Sequence, residues 1–132
     1  MTTQKFSRHE RLKSQKKIQQ LFESGKQFYH YPFRIIWKTE EQYNPEVPAQ
    51  IAISVSKRNL KKAVERNLVK RKIREAYRKN KCLLYRELDR VEKGVFFMVI
   101  FNTSLSDNDI SIDNELVNAL KKLSGQIIYQ NG

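Results

Sequence analysis

Residues 57–81 read Lys57-Arg58-Asn59-Leu60-Lys61-Lys62-Ala63-Val64-Glu65-Arg66-Asn67-Leu68-Val69-Lys70-Arg71-Lys72-Ile73-Arg74-Glu75-Ala76-Tyr77-Arg78-Lys79-Asn80-Lys81. Twelve of these 25 residues are Lys or Arg against two acids, Glu65 and Glu75, so the run holds +10 of the whole chain's +12. From Ala63 onward there is no Gly or Pro, and Ala, Leu, Lys, Arg and Glu dominate, which predicts a helix of about five turns. Laid out at roughly 100° per residue, Arg66, Asn67, Lys70, Arg71, Arg74 and Arg78 fall within an arc of roughly 140°. Leu68, Val69, Ile73, Ala76 and Tyr77 are expected around the other side. Leu60 and Val64 would land among the cations if the helix began at Asn59. Regular helix is therefore expected from about Ala63, with residues 57–62 as a basic approach loop.

A solvated helix face usually carries both signs, here through i,i+4 pairs among Arg71, Glu75 and Lys79. Five cations sharing one arc with a single neutral Asn67 repel one another, and nothing within the helix relieves them. A surface for a polyanion fits this pattern better.

At 132 residues the chain is expected to be one domain, residues 1–132, large enough to bury a core. Its charge is uneven: +7 over residues 1–38, −3 over 39–56 and −2 over 82–132, around the central +10. Nucleic acid is the commonest partner for such a distribution, with an anionic membrane as the rival. The lone Cys82 cannot form an internal disulfide, which suits a reducing, cytoplasmic setting, and it is read as a small buried apolar residue. No secretory segment and no membrane-spanning apolar run is read.

Residues 1–13 are polar, basic and without periodicity, and are expected to be a mobile arm free to order on RNA. Ser14 is a candidate N-cap for a short helix with Ile18, Leu21 and Phe22 on one face, stopping at Gly25. Lys16 and Lys17 in its first turn oppose the helix dipole. Residues 27–39, interrupted by Pro32, read as two short strands or as one broken edge strand. Beyond Pro32, Phe33, Ile35 and Trp37 point one way, and Arg34, Ile36 and Lys38 the other. Residues 40–49 read as a hairpin connection to a strand over residues 50–56. Ile51, Ile53 and Val55 form its apolar side; Ala52, Ser54 and Ser56 form a small, weakly polar one. Arg34, Ile36, Lys38, Ala52, Ser54 and Ser56 together make either a trough floor or a plain solvent face. Residues 82–92 continue as helix or a helical turn until Lys93-Gly94. Residues 95–101 are apolar on both sides, as a central, doubly covered strand should be. Residues 102–109 read as a loop. A closing helix over residues 113–123 has Leu116, Val117, Leu120 and Leu123 at core spacing and Asp113 as its N-cap.

No enzyme chemistry is legible. His9 and His30 lack further ligands at metal spacing and read as surface residues, and Asp107, Asp109 and Asp113 read as loop acids. Phosphate loops and nucleophile elbows are not found.

The motif Arg66-Asn67, Lys70-Arg71, Arg74-Glu75, preceded by Ser54-Val55-Ser56-Lys57-Arg58 and Ala63-Val64, resembles the protein subunit of bacterial ribonuclease P. Arg11-Leu12-Lys13, Leu21-Phe22 and Gly25 match as well, and the likeness covers nearly the whole chain. The resemblance implies an α+β fold, a sandwich like the second domain of ribosomal protein S5, in αβββαβα order with a left-handed βαβ crossover through the basic helix. It implies no catalytic or metal-binding residue in the protein, because a large RNA performs catalysis with Mg2+ bound mainly by RNA, and the protein alone is not expected to cleave. It assigns Arg58, Arg66, Asn67, Lys70, Arg71, Arg74 and Arg78 to the catalytic RNA subunit. It assigns Phe22, Arg34, Ile36, Ser54 and Ser56 to the 5′ leader of precursor tRNA, which turns the evenly weighed sheet face towards a trough. A monomer, one per RNA, with neither membrane nor DNA as partner, is the implied state.

Three positions depart from the family pattern: Leu68 stands where Arg is usual, and Ile18 and Ile36 stand where aromatics are usual. Losing an aromatic weakens base stacking, worth roughly 1 to 3 kcal/mol per base. The rival readings are a non-catalytic RNA- or ribosome-binding module of the same fold and a DNA-binding regulator. The latter needs a short partner helix and a dimer seam that are not visible. A membrane-surface helix would need Trp, Phe or Leu in quantity opposite the cations.

Overall fold

A computed structural model describes residues 6–103 and 111–129. The elements are α1 (Gln15–Ser24), β1 (Lys26–His30), β2 (Phe33–Glu40), β3 (Ala49–Val55), α2 (Ala63–Val91), β4 (Gly94–Phe101) and α3 (Ile112–Tyr129). This is the αβββαβα order of the expected α+β fold.

The four strands form one sheet in the order β1-β2-β4-β3. β4 lies antiparallel to β2 and parallel to β3. Seven of its eight residues are buried, so the doubly apolar run does occupy the middle of the sheet. The hairpin expected over residues 40–49 is therefore corrected: β2 and β3 each pair with β4 and not with each other. Parallel neighbours need a long crossover, and α2 supplies it between β3 and β4. Pro32 divides residues 26–40 into two strands that form an antiparallel hairpin.

Alternation sorts the sheet's side chains onto two faces. Phe33, Ile35, Trp37, Ile51, Val95, Phe97, Val99 and Phe101 pack with Val69, Ile73, Ala76, Tyr77, Leu84 and Leu88 of α2 and with Leu116, Leu120 and Leu123 of α3. On the opposite face a smaller cluster joins Ile36, Phe96 and Met98 to Leu12 and to Leu21 of α1. Each fully buried side chain of this kind contributes about 1.5 to 3 kcal/mol. Gly25 lets α1 meet β2 closely, because a Cβ there would lie 2.5 Å from the Leu21 carbonyl oxygen and 2.9 Å from Ile36 Cγ2.

The mobile arm expected over residues 1–13 is corrected for the part described; residues 1–5 lie outside the described residues. Leu12 N–H donates to the Ile51 carbonyl at 2.8 Å, and Gln50 Nε2 donates to the His9 carbonyl at 3.0 Å. Both bonds lay the segment along the free edge of β3. Glu10 is buried and accepts hydrogen bonds from Lys81 Nζ at 2.5 Å and from the Tyr85 hydroxyl, so a buried ion pair ties the segment to α2.

Smaller corrections follow from local contacts. α2 is one helix of 29 residues rather than about five turns. α3 is capped by Ser111, whose Oγ accepts from Asn114 N–H at 3.3 Å, in place of Asp113. It then runs through Gly125 to Tyr129. Cys82 is only half-buried. His30 is half-buried as well and bonds Glu115 at 3.0 Å. Of the loop expected at 102–109, residues 104–109 lie outside the described residues.

Candidate nucleic-acid interface

α2 begins at Ala63, where the stranded Leu60 predicted it. The preceding loop folds back so that Leu60 is 3% exposed, and its N–H donates to the Ser56 carbonyl at 3.1 Å. Arg66 Nη1 donates to the carbonyls of Leu60 and Lys61 at 2.8 and 2.7 Å. Arg66 thus holds the approach loop against the helix as well as adding charge, a role its motif position did not disclose. Arg58 stands exposed on that loop, its backbone N–H donating to Ser56 Oγ at 3.1 Å.

The cationic arc exists, but it borders the buried face instead of opposing it. Asn67 and Arg71 are exposed, whereas Arg66, Lys70, Arg74 and Arg78 are half-buried, and Tyr77, at a similar azimuth, is fully buried. The long stems of Lys and Arg can cover apolar surface while their charged ends reach water. Among the described residues, Lys70, Arg71 and Arg74 have no carboxylate partner. Glu75 is taken by Arg78 at 3.0 Å rather than by Arg71 or Lys79. That hydrogen bond, with the charges of Arg78, Lys79 and Arg74, holds the Glu75 carboxyl below its usual range.

The second surface lies on the α1 side of the sheet. Strand register sets Tyr29 opposite Arg34, Arg34 opposite Ile100, and Ile100 opposite Ser54, so these four side chains form one row on one face. Arg34 is exposed, and its Nε donates to Gln27 Oε1 at 2.9 Å. α1, which packs on this face, exposes Phe22 (59%) beside the buried Leu21. The expected floor is corrected at three points. Ile36 is 3% exposed, closed off with Leu21 in the cluster beneath α1. β4 contributes the middle of the floor through Ile100, whereas Met98, opposite Ile36, is buried with it. Ser56 lies one residue past the end of β3, in the turn that starts the basic loop.

Two of the remaining cations near this surface are already paired. Lys38 Nζ donates to Ser24 Oγ at 2.6 Å, and Lys17 Nζ binds Glu40 at 2.6 Å. A cleft of about 620 Å³ at the Glu40 end of the sheet is lined by Glu40, Glu41 and Glu46 among others, which disfavours phosphate there. Tyr29, 50% exposed in the Arg34 row, was missed by the sequence reading. Its signal was the alternation within residues 26–30, legible only once β1 is known to pair with β2. Among the described residues, no group of three or more His, Cys, Asp or Glu side chains could hold a metal ion. No helix among them is long and apolar enough to cross a membrane.

Comparison with known proteins places the chain in one family. The family model described as Ribonuclease P matches residues 6–124. A ribonuclease P protein component of Porphyromonas gingivalis is 36% identical over 96 residues, covering 71% of this chain and 69% of that protein. The component from Thermotoga maritima is 30% identical over 128 residues, covering 93% of this chain and 99% of that one. The solved ribonuclease P protein of T. maritima superposes with a TM-score of 0.66 at 25% identity, over 86% of this chain and 96% of that one. That of Staphylococcus aureus gives 0.62 at 26% identity, over 86% and 94%. A match over most of the chain, in sequence and in fold alike, means that this protein belongs to the bacterial ribonuclease P protein-component family.

Proposed function

We propose that this chain is the protein subunit of a ribonucleoprotein that removes the 5′ leader from precursor tRNA, with catalysis carried by the RNA subunit. The observation that carries the reading is the row of carboxylate-free cations Lys70, Arg71 and Arg74 on α2, in a chain of this family. A helix cannot read bases in the deep, narrow major groove of A-form RNA, so these groups neutralise phosphates of the folded RNA subunit. Arg58, Arg66, Asn67 and Arg78 extend that contact. About five neutralised phosphates give a slope of log affinity against log salt of roughly −3.5 to −4.5.

The row of Tyr29, Arg34, Ile100 and Ser54, with Phe22 on α1, takes the single-stranded leader. Phe22 and Tyr29 offer ring faces to bases and Arg34 offers a cation to a phosphate. Only precursor tRNA has a leader, so this contact favours substrate over product. Ile36 supports the floor from beneath. Mg2+ is held mainly by the RNA; the protein promotes its binding by positioning substrate and supplies no ligands. The subunit acts as a monomer, one per RNA, in the cytoplasm.

The test is reconstitution: the chain is added to a bacterial ribonuclease P RNA at low Mg2+, and 5′ maturation of precursor tRNA is followed. Stimulated cleavage at the leader junction is expected. RNA binding without stimulation would instead leave a non-catalytic RNA-binding module.

A further inference from the structure

We infer that α2 carries a second row of cations, Lys72, Lys79 and Arg86 with Arg90 at its end, that grips another stretch of the RNA subunit's phosphate backbone. This rests on the RNA-subunit reading above, and it concerns residues outside the motif arc. Seven residues are about 20° short of two full helical turns, so Lys72, Lys79 and Arg86 stay within roughly 40° of one another, and Arg90 returns to the azimuth of Lys72. All four are exposed. From Lys72 to Arg90 the row spans about 27 Å along the helix.

An ordinary solvated helix face would neutralise such cations with neighbouring acids. Here the acids within reach are engaged elsewhere. Glu75 binds Arg78, Asp89, three residues from Arg86, accepts the Tyr43 hydroxyl, and Glu87 pairs at 2.6 Å with Arg90, which leaves Lys72, Lys79 and Arg86 as the row's carboxylate-free members. The Asp89 bond and burial push the Tyr43 hydroxyl up to about 12, so it stays a donor at neutral pH. Among the described residues, Lys72, Lys79 and Arg86 have no carboxylate partner. Three unpaired cations in line, on a helix already presenting a polyanion surface, fit a second phosphate strand.

The occupant is the RNA subunit rather than the leader. α2 packs on the face of the sheet opposite α1, so the row lies across the sheet from Arg34 and Phe22. It also continues well beyond the motif, onto the last turns of a 29-residue helix.

The test compares the parent chain with Lys72→Ala/Lys79→Ala/Arg86→Ala, in which alanine keeps helix propensity high. Affinity for a ribonuclease P RNA is measured across a salt series, and precursor and mature tRNA are compared on the assembled complexes. The expected result is a slope of log affinity against log salt shallower by about 2 to 3, for three fewer phosphates, with the precursor-to-mature ratio unchanged. An unchanged slope overturns the inference. So does a shallower slope accompanied by lost precursor preference, which would place the row on substrate. Failure of the parent chain itself to bind the RNA would sink the proposed function along with the row.

Discussion

Glu10 and Lys81, 71 residues apart in sequence, meet as an ion pair at 2.5 Å with side chains 6% and 3% exposed. The pair ties the segment that leads into α1 to the helix that carries the cationic arc. The two candidate surfaces are thus joined through one buried contact as well as through the sheet. Removing one partner strands the other's charge in the interior. Glu10→Ala is expected to cost about 3 to 5 kcal/mol in urea unfolding, and the double change Glu10→Gln/Lys81→Met much less.

Acid lability should follow from the same carboxyl. Burial alone would push Glu10 up, but hydrogen bonds from Lys81, Tyr85 and the Ser7 N–H, with the Lys81 charge, outweigh it and hold Glu10 below the ordinary carboxylate range. A depressed folded value contributes stability that is present above the unfolded value and is lost as pH falls through the folded one. Urea midpoints should therefore decline once pH drops below about 4.5, the ordinary value. In Lys81→Met the partner is gone and burial dominates, so the sign reverses: a carboxyl raised by burial favours the folded state as pH falls, and the acid decline due to Glu10 should vanish or invert.

Tyr77 offers the opposite case. Its hydroxyl is buried without a well-formed hydrogen bond among the described residues, its polar neighbour being the Tyr85 hydroxyl, which is committed to Glu10, while its ring packs edge-on against Phe97 at 6.0 Å between centroids. Tyr77→Phe keeps the ring and removes the stranded polar atom. Stability is expected to stay level or rise by about 1 kcal/mol. A loss above that size in thermal or urea unfolding would show that the hydroxyl is satisfied.

Gly25 sets the distance between α1 and the sheet. A methyl there meets backbone 2.5 Å away, which cannot swing aside as a flexible side chain would. Gly25→Ala is expected to destabilise by about 1 to 3 kcal/mol. It should also weaken leader discrimination, because α1 carries Phe22; unfolding curves and the precursor-to-mature affinity ratio check the two effects separately.

Much of this was legible in residues 57–81. The start of α2 followed from Leu60, which an earlier start would have stranded among cations and which is instead buried. The place of β4 followed from a run apolar on both faces. Alternation assigns faces, though, and not neighbours, so β2 and β3 could be read as a hairpin although β4 lies between them. For the same reason Ile36 was put on an open floor: period two shows that it shares a face with Arg34, while only tertiary packing shows that α1 covers it. The buried role of Glu10 was not legible within a segment read as a basic, mobile arm, because its partners, Lys81 and Tyr85, are more than 70 residues away. Arg66 matched the motif, but its grip on the loop carbonyls depends on how residues 57–62 turn, which side-chain type does not encode.

The division into two surfaces is tested most directly by equilibrium binding to the RNA subunit with paired variants. Arg66 is left in place so that the loop stays anchored. Lys70→Glu/Arg71→Glu/Arg74→Glu should fold normally yet lose RNA-subunit affinity. Phe22→Ala/Arg34→Ala should keep that affinity and lose preference for precursor over mature tRNA, by roughly 5- to 150-fold for one stacked base worth 1 to 3 kcal/mol. A triple reversal that binds the RNA subunit as tightly as the parent chain, at the same salt concentration, would contradict the account.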